Sequence, residues 1–229
     1  MTEILPEHSA RFTRAVGPQP DDVLEEMGAH AREKEFPYVG PEVGGWLQLL
    51  ATMIDAERVF EFGSGFGYSA YWFARALPAD GEVVLTEIDE SRLDRAREFL
   101  ERGGHRDVAR FEPGDALETI EAYDGPFDVV LIDHQKSRYR AAFETIREKL
   151  SPSGVIVADN VMTAGVVDFE AMLAGVDAEG FPAEDCLPED ANEHTRGVYE
   201  YLRTVKTDDA FETAVLPVGE GIAVSHLTG

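Results

Sequence analysis

The sequence is short of lysine and nearly without cysteine. Only Cys186 is present, so no disulfide can close within the chain and nothing calls for an oxidising compartment. No stretch approaches the ~20 apolar residues of a membrane span. The opening segment, Met1 to Pro20, carries no apolar run of signal-peptide length. These absences lead to the expectation of a cytoplasmic protein that does not enter membranes. Lysine occurs four times, as Lys34, Lys136, Lys149 and Lys206, against 16 arginines.

Basic side chains are scarce as a class: 20 among 229 residues, against 45 acidic ones, for a formal charge of −25. Such a surface repels DNA, RNA and anionic lipid. The acids run from Glu3 to Glu220 and alternate with apolar residues, which is how solvated faces look, not how acidic tails look. Two readings of the excess stay open. One is an ordinary acidic protein; the sharper one is adaptation to a high-salt cytoplasm, where screening cancels the self-repulsion. With 44% hydrophobic residues, 21 glycines and 12 prolines, the composition suits a single domain over 1–229 with a full core, and neither a fibre nor a disordered chain.

Hydrophobic runs and turn residues alternate regularly. Asp21 to Glu35 carries apolar residues at helical spacing behind an Asp at the cap, and Pro41 to Ile54 is a second helix with proline in its first turn. Strands are predicted at Arg58–Phe62, Glu82–Ile88, Val108–Glu112, Phe127–Ile132 and Val155–Ala158. Helices are predicted between them at Tyr68–Leu77, Glu90–Arg102 (stopped by Gly103 and Gly104), Ala116–Ala122 and Arg138–Leu150. This alternation predicts an α/β domain with a mostly parallel sheet. The rhythm then breaks. Residues 163–194 read as an acidic insertion with a short helix at Asp168–Leu173, followed by a helix at Thr195–Lys206. Two β-rich runs, Phe211–Leu216 and Ile222–Ser225, are joined as a hairpin by five residues, Pro217 to Gly221.

Chemistry concentrates first at Val59-Phe-Glu61-Phe-Gly63-Ser-Gly65-Phe-Gly67-Tyr-Ser69-Ala, where a strand enters a glycine turn and a helix leaves it. Ligands of open α/β sheets sit outside the carboxyl ends of the strands, and glycines let a ligand approach backbone and helix N-terminus. Tyr68 stands where a dinucleotide fingerprint wants its third glycine, which counts against NAD and FAD; no Gly-Lys-Ser/Thr is present for a P-loop. Glu61 precedes the turn, where its carboxylate could hold a ligand amine. Glu87 ends the next strand and could take both hydroxyls of a ribose.

The second concentration lies on two later strands, which end Asp133-His134-Gln-Lys136-Ser-Arg-Tyr139 and Asp159-Asn160. Two acids and an amide at neighbouring strand ends offer three oxygen ligands, a set for a hard ion such as Mg²⁺. The lone cysteine and scattered histidines supply no zinc-type tetrahedral set.

The E-x-G-x-G-x-G motif with its strand-end acid resembles the S-adenosylmethionine (SAM) pocket of class I methyltransferases, and Gly114-Asp115-Ala116 matches the place where that fold edges the adenine. From about Tyr38 to Val161 the chain resembles the cation-dependent O-methyltransferases, the family of catechol and caffeoyl-CoA O-methyltransferases. Val39-Gly40, Glu61-x-Gly63, Gly67-Tyr-Ser69-Ala, Thr86-Glu87, Asp133-His134-x-Lys136 with Tyr139, and Ala158-Asp159-Asn160-Val161 carry that resemblance. The terminal Leu216-Pro-Val-Gly-Glu-Gly221 is similar to the closing hairpin of bacterial members.

The resemblance implies a Rossmann-like class I methyltransferase fold: a mostly parallel seven-stranded sheet, a C-terminal antiparallel hairpin and helices on both faces. It implies that Val39, Glu61, Gly63, Gly65, Gly67, Ser69, Glu87, Asp115, Ala116 and Asp133 form the SAM site. Asp133, Asp159 and Asn160 would hold Mg²⁺ or Mn²⁺, and Lys136, three positions beyond Asp133, would be the general base. The cation would acidify a substrate hydroxyl, and a lysine beside positive charge loses its proton more easily.

The resemblance also implies that residues 1–40, as an N-terminal helical segment, and the stretch before the last helix, Gly180 to His194, shape the acceptor site. Phe36, Tyr38, Trp46 and Tyr139 are candidate walls for a flat acceptor. Within 180–194 no acceptor-binding acid aligns among Glu184, Asp185, Glu189, Asp190 and Glu193, and Leu202 stands where many bacterial members have asparagine. The expected activity is methyl transfer to a catechol-like aromatic diol by a homodimer. Rivals are a tRNA hydroxyuridine O-methyltransferase, which the acidity disfavours, an NAD-linked oxidoreductase, and a non-catalytic SAM-binding module.

Overall fold

The computed structural model describes residues 6–163, 165–176, 181 and 187–229. Glu184, Asp185 and Cys186 lie outside the described residues, as does most of the 177–186 part of the acidic insertion. The elements run α1 (Glu7–Val16), α2 (Asp22–Glu33), α3 (Gly40–Met53), β1 (Arg58–Phe62), α4 (Tyr68–Ala74), β2 (Glu82–Glu87), α5 (Glu90–Arg102), β3 (Ala109–Pro113), α6 (Ala116–Thr119) and β4 (Phe127–Ile132). Then follow α7 (Tyr139–Ile146), β5 (Leu150–Ala158), α8 (Phe169–Ala174), α9 (Glu193–Lys206), β6 (Phe211–Leu216) and β7 (Ile222–Leu227).

Seven strands form one sheet in the order β3-β2-β1-β4-β5-β7-β6. The pairs among β1 to β5 are parallel, while β7 runs antiparallel to β5 and to β6. Chain order reverses between β1 and β4, and their carboxyl ends border the crevice where this kind of sheet binds ligands. Strand parity divides the core. Val59, Val83, Val129 and Val157 pack on one face with α2 to α5, whereas Phe60, Val84, Val130 and Ile156 pack on the other with α7 and α9. Helices therefore cover both faces, and the near-continuous apolar strands follow from burial on both sides.

The Asp cap expected for the first of the predicted helices is present, and a second helix has one that was not expected. Asp21 accepts from the N–H groups of Val23 and Leu24 at 3.1 and 3.0 Å, and Asp89 accepts from Ser91 N–H at 3.0 Å. Several boundaries differ from expectation. The predicted helix over 138–150 keeps its α-helical part only at Tyr139–Ile146, between 3₁₀ turns at Lys136–Arg138 and Arg147–Lys149. Leu150 already belongs to β5 and pairs with Phe127, so a strand predicted to start at Val155 begins five residues earlier. α4 ends at Ala74 rather than Leu77, and the predicted helix 116–122 tightens to 3₁₀ after Thr119. α1 lies within the 1–40 segment expected to be helical, but local pattern gave it no bounds. None of its residues is buried and Pro6 offers no capping side chain, so its local signals are weak. No helix among the described residues is long and apolar enough to cross a membrane.

Candidate active site

The turn after β1 is held to β2 through Thr86. Its hydroxyl donates to the Glu61 carbonyl at 2.6 Å and accepts from Gly63 N–H at 3.3 Å, while Ser64 N–H donates to the Thr86 carbonyl at 2.9 Å. Gly63 has φ +86°, and a Cβ there would lie 2.7 Å from the Asp133 carbonyl oxygen, so side chain and backbone conformation both exclude other residues. This close approach places the end of β4 directly against the turn.

A cavity of ≈ 630 Å³ opens over these strand ends. Of the residues singled out from the sequence, Val39, Gly63, Gly65, Ser69, Glu87, Asp115, Ala116, Asp133, Lys136, Asp159 and Asn160 line it. Gly67 does not; it begins α4 at φ +85° and admits close packing of Ala96. Glu61 lies beneath the wall. It shares the face of Val59 by strand parity and is 0% exposed. Neither carboxylate oxygen has a hydrogen-bond partner of normal geometry. Burial pushes its pKa up to about 8, with the Asp133 charge adding to the rise and nearby Ser69 opposing it.

Glu87, at the end of β2, is buried on the cavity. Its Oε1 accepts from Asp89 N–H at 3.0 Å and from Arg92 at 3.3 Å. The Arg92 guanidinium also lies 4.8 Å from the centre of the Phe36 ring, which joins this acid to the segment before α3. Asp115 sits where expected, but its carboxylate is engaged. It caps α6 through Leu117 N–H and takes two hydrogen bonds from Arg138, at 2.6 and 3.2 Å. That pairing holds its pKa below the usual carboxylate range.

Lys136 reaches back to the ends of β4 and β5. Its Nζ donates to Asp133 Oδ1 at 3.0 Å, to Tyr139 Oη at 2.8 Å and to Asn160 Oδ1 at 2.5 Å. Three acceptors match the three N–H bonds of an ammonium. Asp159, 2% exposed, accepts from Asn160 N–H at 2.8 Å, and burial beside the Asp133 charge raises its pKa well above the ordinary value. Asn160 itself has φ +58°, a left-handed conformation that asparagine tolerates better than most residues. Among the described residues no three His, Cys, Asp or Glu side chains gather around a common point; the candidate oxygen set is two carboxylates and one amide.

Of the four candidate aromatic walls, Phe36 and Tyr38 line the cavity. Trp46 and Tyr139 do not: Trp46 packs against the α2–α5 core, and Tyr139 is fully buried on the opposite face, where its hydroxyl serves Lys136. Apolar packing absorbed both rings. Several lining residues had no role assigned from the sequence, His134, Ile88 and Glu220 among them. His134 has both ring nitrogens buried without partners, and burial lowers its pKa to about 4. Ile88 stands 77% exposed at the rim. Glu220, from the β6–β7 connection, accepts from Asn160 Nδ2 at 2.7 Å. His134 and Glu220 stand inside the motifs that carry the resemblance, Asp133-His134-x-Lys136 and Leu216 to Gly221, and Ile88 adjoins Glu87; none of those signals gave them a role.

Residues 21–227 match a protein family described as O-methyltransferase. A catechol O-methyltransferase of Niastella koreensis is 35% identical over 133 residues, which cover 56% of this chain and 60% of that enzyme. The match thus spans less than two thirds of that relative's length. A putative caffeoyl-CoA O-methyltransferase of Arabidopsis thaliana is 27% identical over 195 residues, covering 84% and 77% of the two chains. Among solved structures, an O-methyltransferase from Bacillus cereus in complex with SAH superposes with a TM-score of 0.79 at 26% identity, covering 96% of this chain and 97% of that one.

Proposed function

The chain belongs to the O-methyltransferase family, and from that membership we propose that it transfers a methyl group from SAM to a hydroxyl of a catechol-like small molecule, with a divalent cation bound. The observation that carries this reading is the convergence of Lys136 Nζ on Asp133 and Asn160, at the ends of two neighbouring strands and within the cavity.

The residues present suit both bound groups. Glu61 is a buried carboxylate without a partner, and the α-amino cation of SAM would supply one. Ser69, Val39 and the glycine turn would complete that end, Glu87 would take the ribose hydroxyls with Oε2, which no described residue engages, and Ala116 would edge the adenine. Asp115, its carboxylate tied to Arg138, would edge the adenine by position alone. The all-oxygen set of Asp133, Asp159 and Asn160 suits Mg²⁺ or Mn²⁺, and a bound cation would offset the burial that raises the Asp159 pKa. When bound, the ion would act as a Lewis acid that lowers the pKa of the acceptor hydroxyl and orients two adjacent oxygens.

In the proposed reaction Lys136 Nζ, as the free amine, takes the proton of the acceptor hydroxyl. As an ammonium it donates to Asp133, Tyr139 and Asn160; the amine keeps two of these bonds, which hold it at that point while its lone pair takes the place of the third N–H. The acceptor oxygen then forms a bond to the SAM methyl carbon as the carbon–sulfur bond breaks, leaving its electron pair on sulfur. The chain's own contribution is largely placement of the two reactants in line.

Phe36 and Tyr38 would wall the acceptor from one side, so the end of the 1–40 segment contributes to the site; Val166 would contribute from the 163–194 insertion. The cavity-lining cations Arg92, Lys136 and Arg138 each face an acid, Glu87, Asp133 and Asp115, which favours a small acceptor over tRNA. Phe12 and Val16 on α1 and Leu49 and Met53 on α3 expose apolar side chains, which supports a homodimer. Methyl transfer from labelled SAM to a panel of catechols, with and without EDTA, tests the reading. Product that forms equally with the chelator present removes the cation from it; no product on any diol removes the acceptor class.

A further inference from the structure

Glu220 stands at the tip of the β6–β7 connection, 60 residues beyond Asn160. Three backbone hydrogen bonds bind that tip to the segment leaving β5: Val161 N–H to Gly221 O at 2.9 Å, Met162 N–H to Glu220 O at 3.2 Å, and Thr163 N–H to Glu220 O at 2.9 Å. Both neighbours of Glu220 are glycines with positive φ, +58° at Gly219 and +88° at Gly221. A Cβ at Gly219 would lie 2.6 Å from Val43, and one at Gly221 would lie 2.5 Å from Met162. The backbone of Glu220 is therefore seated tightly between α3 and the end of β5.

From that seat the half-buried carboxylate accepts one hydrogen bond among the described residues, from the amide nitrogen of Asn160 at 2.7 Å. The other end of the same amide, Oδ1, accepts from Lys136 Nζ. A carboxylate only accepts hydrogen bonds and an ammonium only donates them. The two partners thus demand the same orientation independently: NH₂ towards the hairpin, oxygen into the cavity beside Asp133. Rotated by a half turn, the amide would present N–H donors to a cation and to the lysine.

We propose that Glu220 is a positioning residue that locks the Asn160 amide with its oxygen turned to the cation position. This rests on the reading of Asn160 as a cation ligand. It makes the hairpin at the far end of the sequence part of the cation site, although it lends no ligand of its own. Partners that orient a ligand in this way typically change metal affinity by ~10–100-fold when removed.

Mn²⁺ binding to the full chain, followed by electron paramagnetic resonance or calorimetry without acceptor, provides a readout separate from turnover. Glu220→Ala weakens Mn²⁺ binding about tenfold or more, while SAM affinity is unchanged. Glu220→Gln keeps an acceptor for the amide and stays within about threefold of the parent. In an Asn160→Ala background, Glu220→Ala then costs less than about twofold, because the group it positions is gone. Unchanged Mn²⁺ affinity in Glu220→Ala overturns the proposal. So does a full loss that persists in the Asn160→Ala background, which would make Glu220 a ligand itself. If Asn160→Ala alone leaves Mn²⁺ affinity intact, the cation-site reading fails first and the proposal with it.

Discussion

The ammonium of Lys136 donates to the phenol oxygen of Tyr139 at 2.8 Å, and that phenol donates its own proton to the carbonyl of Asp159 at 3.0 Å. The two bonds tie the proposed base on the β4 side to the backbone of the proposed cation strand, β5. Tyr139 is fully buried, and burial together with the Asp133 and Asp159 charges raises its pKa well above the ordinary value. It acts as a neutral donor.

Tyr139→Phe should therefore loosen Lys136 without altering the SAM pocket. A hydrogen bond to a charged group is worth ~1.5–3 kcal/mol, so kcat should fall by about one to two orders of magnitude. SAM affinity, measured by calorimetry, should hold within about twofold. An equal loss of SAM affinity would show that the ring acts by packing alone.

Glu61 makes stability depend on pH with a defined sign. Its pKa stands at about 8 in the folded chain, against 4.5 for the free group, so the folded state holds the extra proton between those values. Stability therefore falls as pH rises from about 4.5 to about 8. Asp159, also raised by burial, acts in the same direction. The test is accordingly a comparison: the drop in melting midpoint between about pH 5.5 and about pH 8 should be smaller in Glu61→Gln than in the parent. SAM should recover the parent at high pH and bind the variant at least tenfold more weakly, by roughly the strength of one charged hydrogen bond. Identical pH slopes in the two proteins would exclude this role.

Gly63→Ala attacks the turn itself. The new methyl would meet the Asp133 carbonyl at 2.7 Å from a backbone at φ +86°. A cost of ~1–3 kcal/mol is expected from overpacking and the strained φ. Denaturant unfolding should show that cost as a lower midpoint, and SAM binding should weaken because Asp133 is displaced. A variant as stable as the parent would mean that the turn relaxes.

The acid excess predicts salt dependence. If the 45 acids against 20 bases reflect adaptation to high salt, the melting midpoint should rise steadily between about 0.1 M and about 2 M KCl. A midpoint that is flat or falls over that range would leave an ordinary acidic protein.

Much of the architecture was legible because short-range pattern determines it in a parallel sheet. The bounds of β1, β4 and α5 follow directly from apolar runs and from Gly103 and Gly104 at the end of the helix. The candidate site was legible for the same reason. Strand ends in such a sheet come together, so acids at Glu87, Asp133 and Asp159 could be placed at one crevice before any coordinates.

Other features depended on contacts distant in sequence. Leu150 looks helical beside Ile146 but joins β5 because Phe127 pairs with it. Tyr139 looks like an acceptor wall until the opposite core claims its ring. Asp115 looks free until Arg138 is folded against it. Glu220 and Asn160 meet only because β7 runs antiparallel along β5. The sequence by itself determined which elements form and which chemical groups stand at the strand ends, since periodicity, caps and glycines act over a few residues. Tertiary structure alone decided which of those groups keep a free oxygen or a fixed orientation, because that depends on partners tens of residues away.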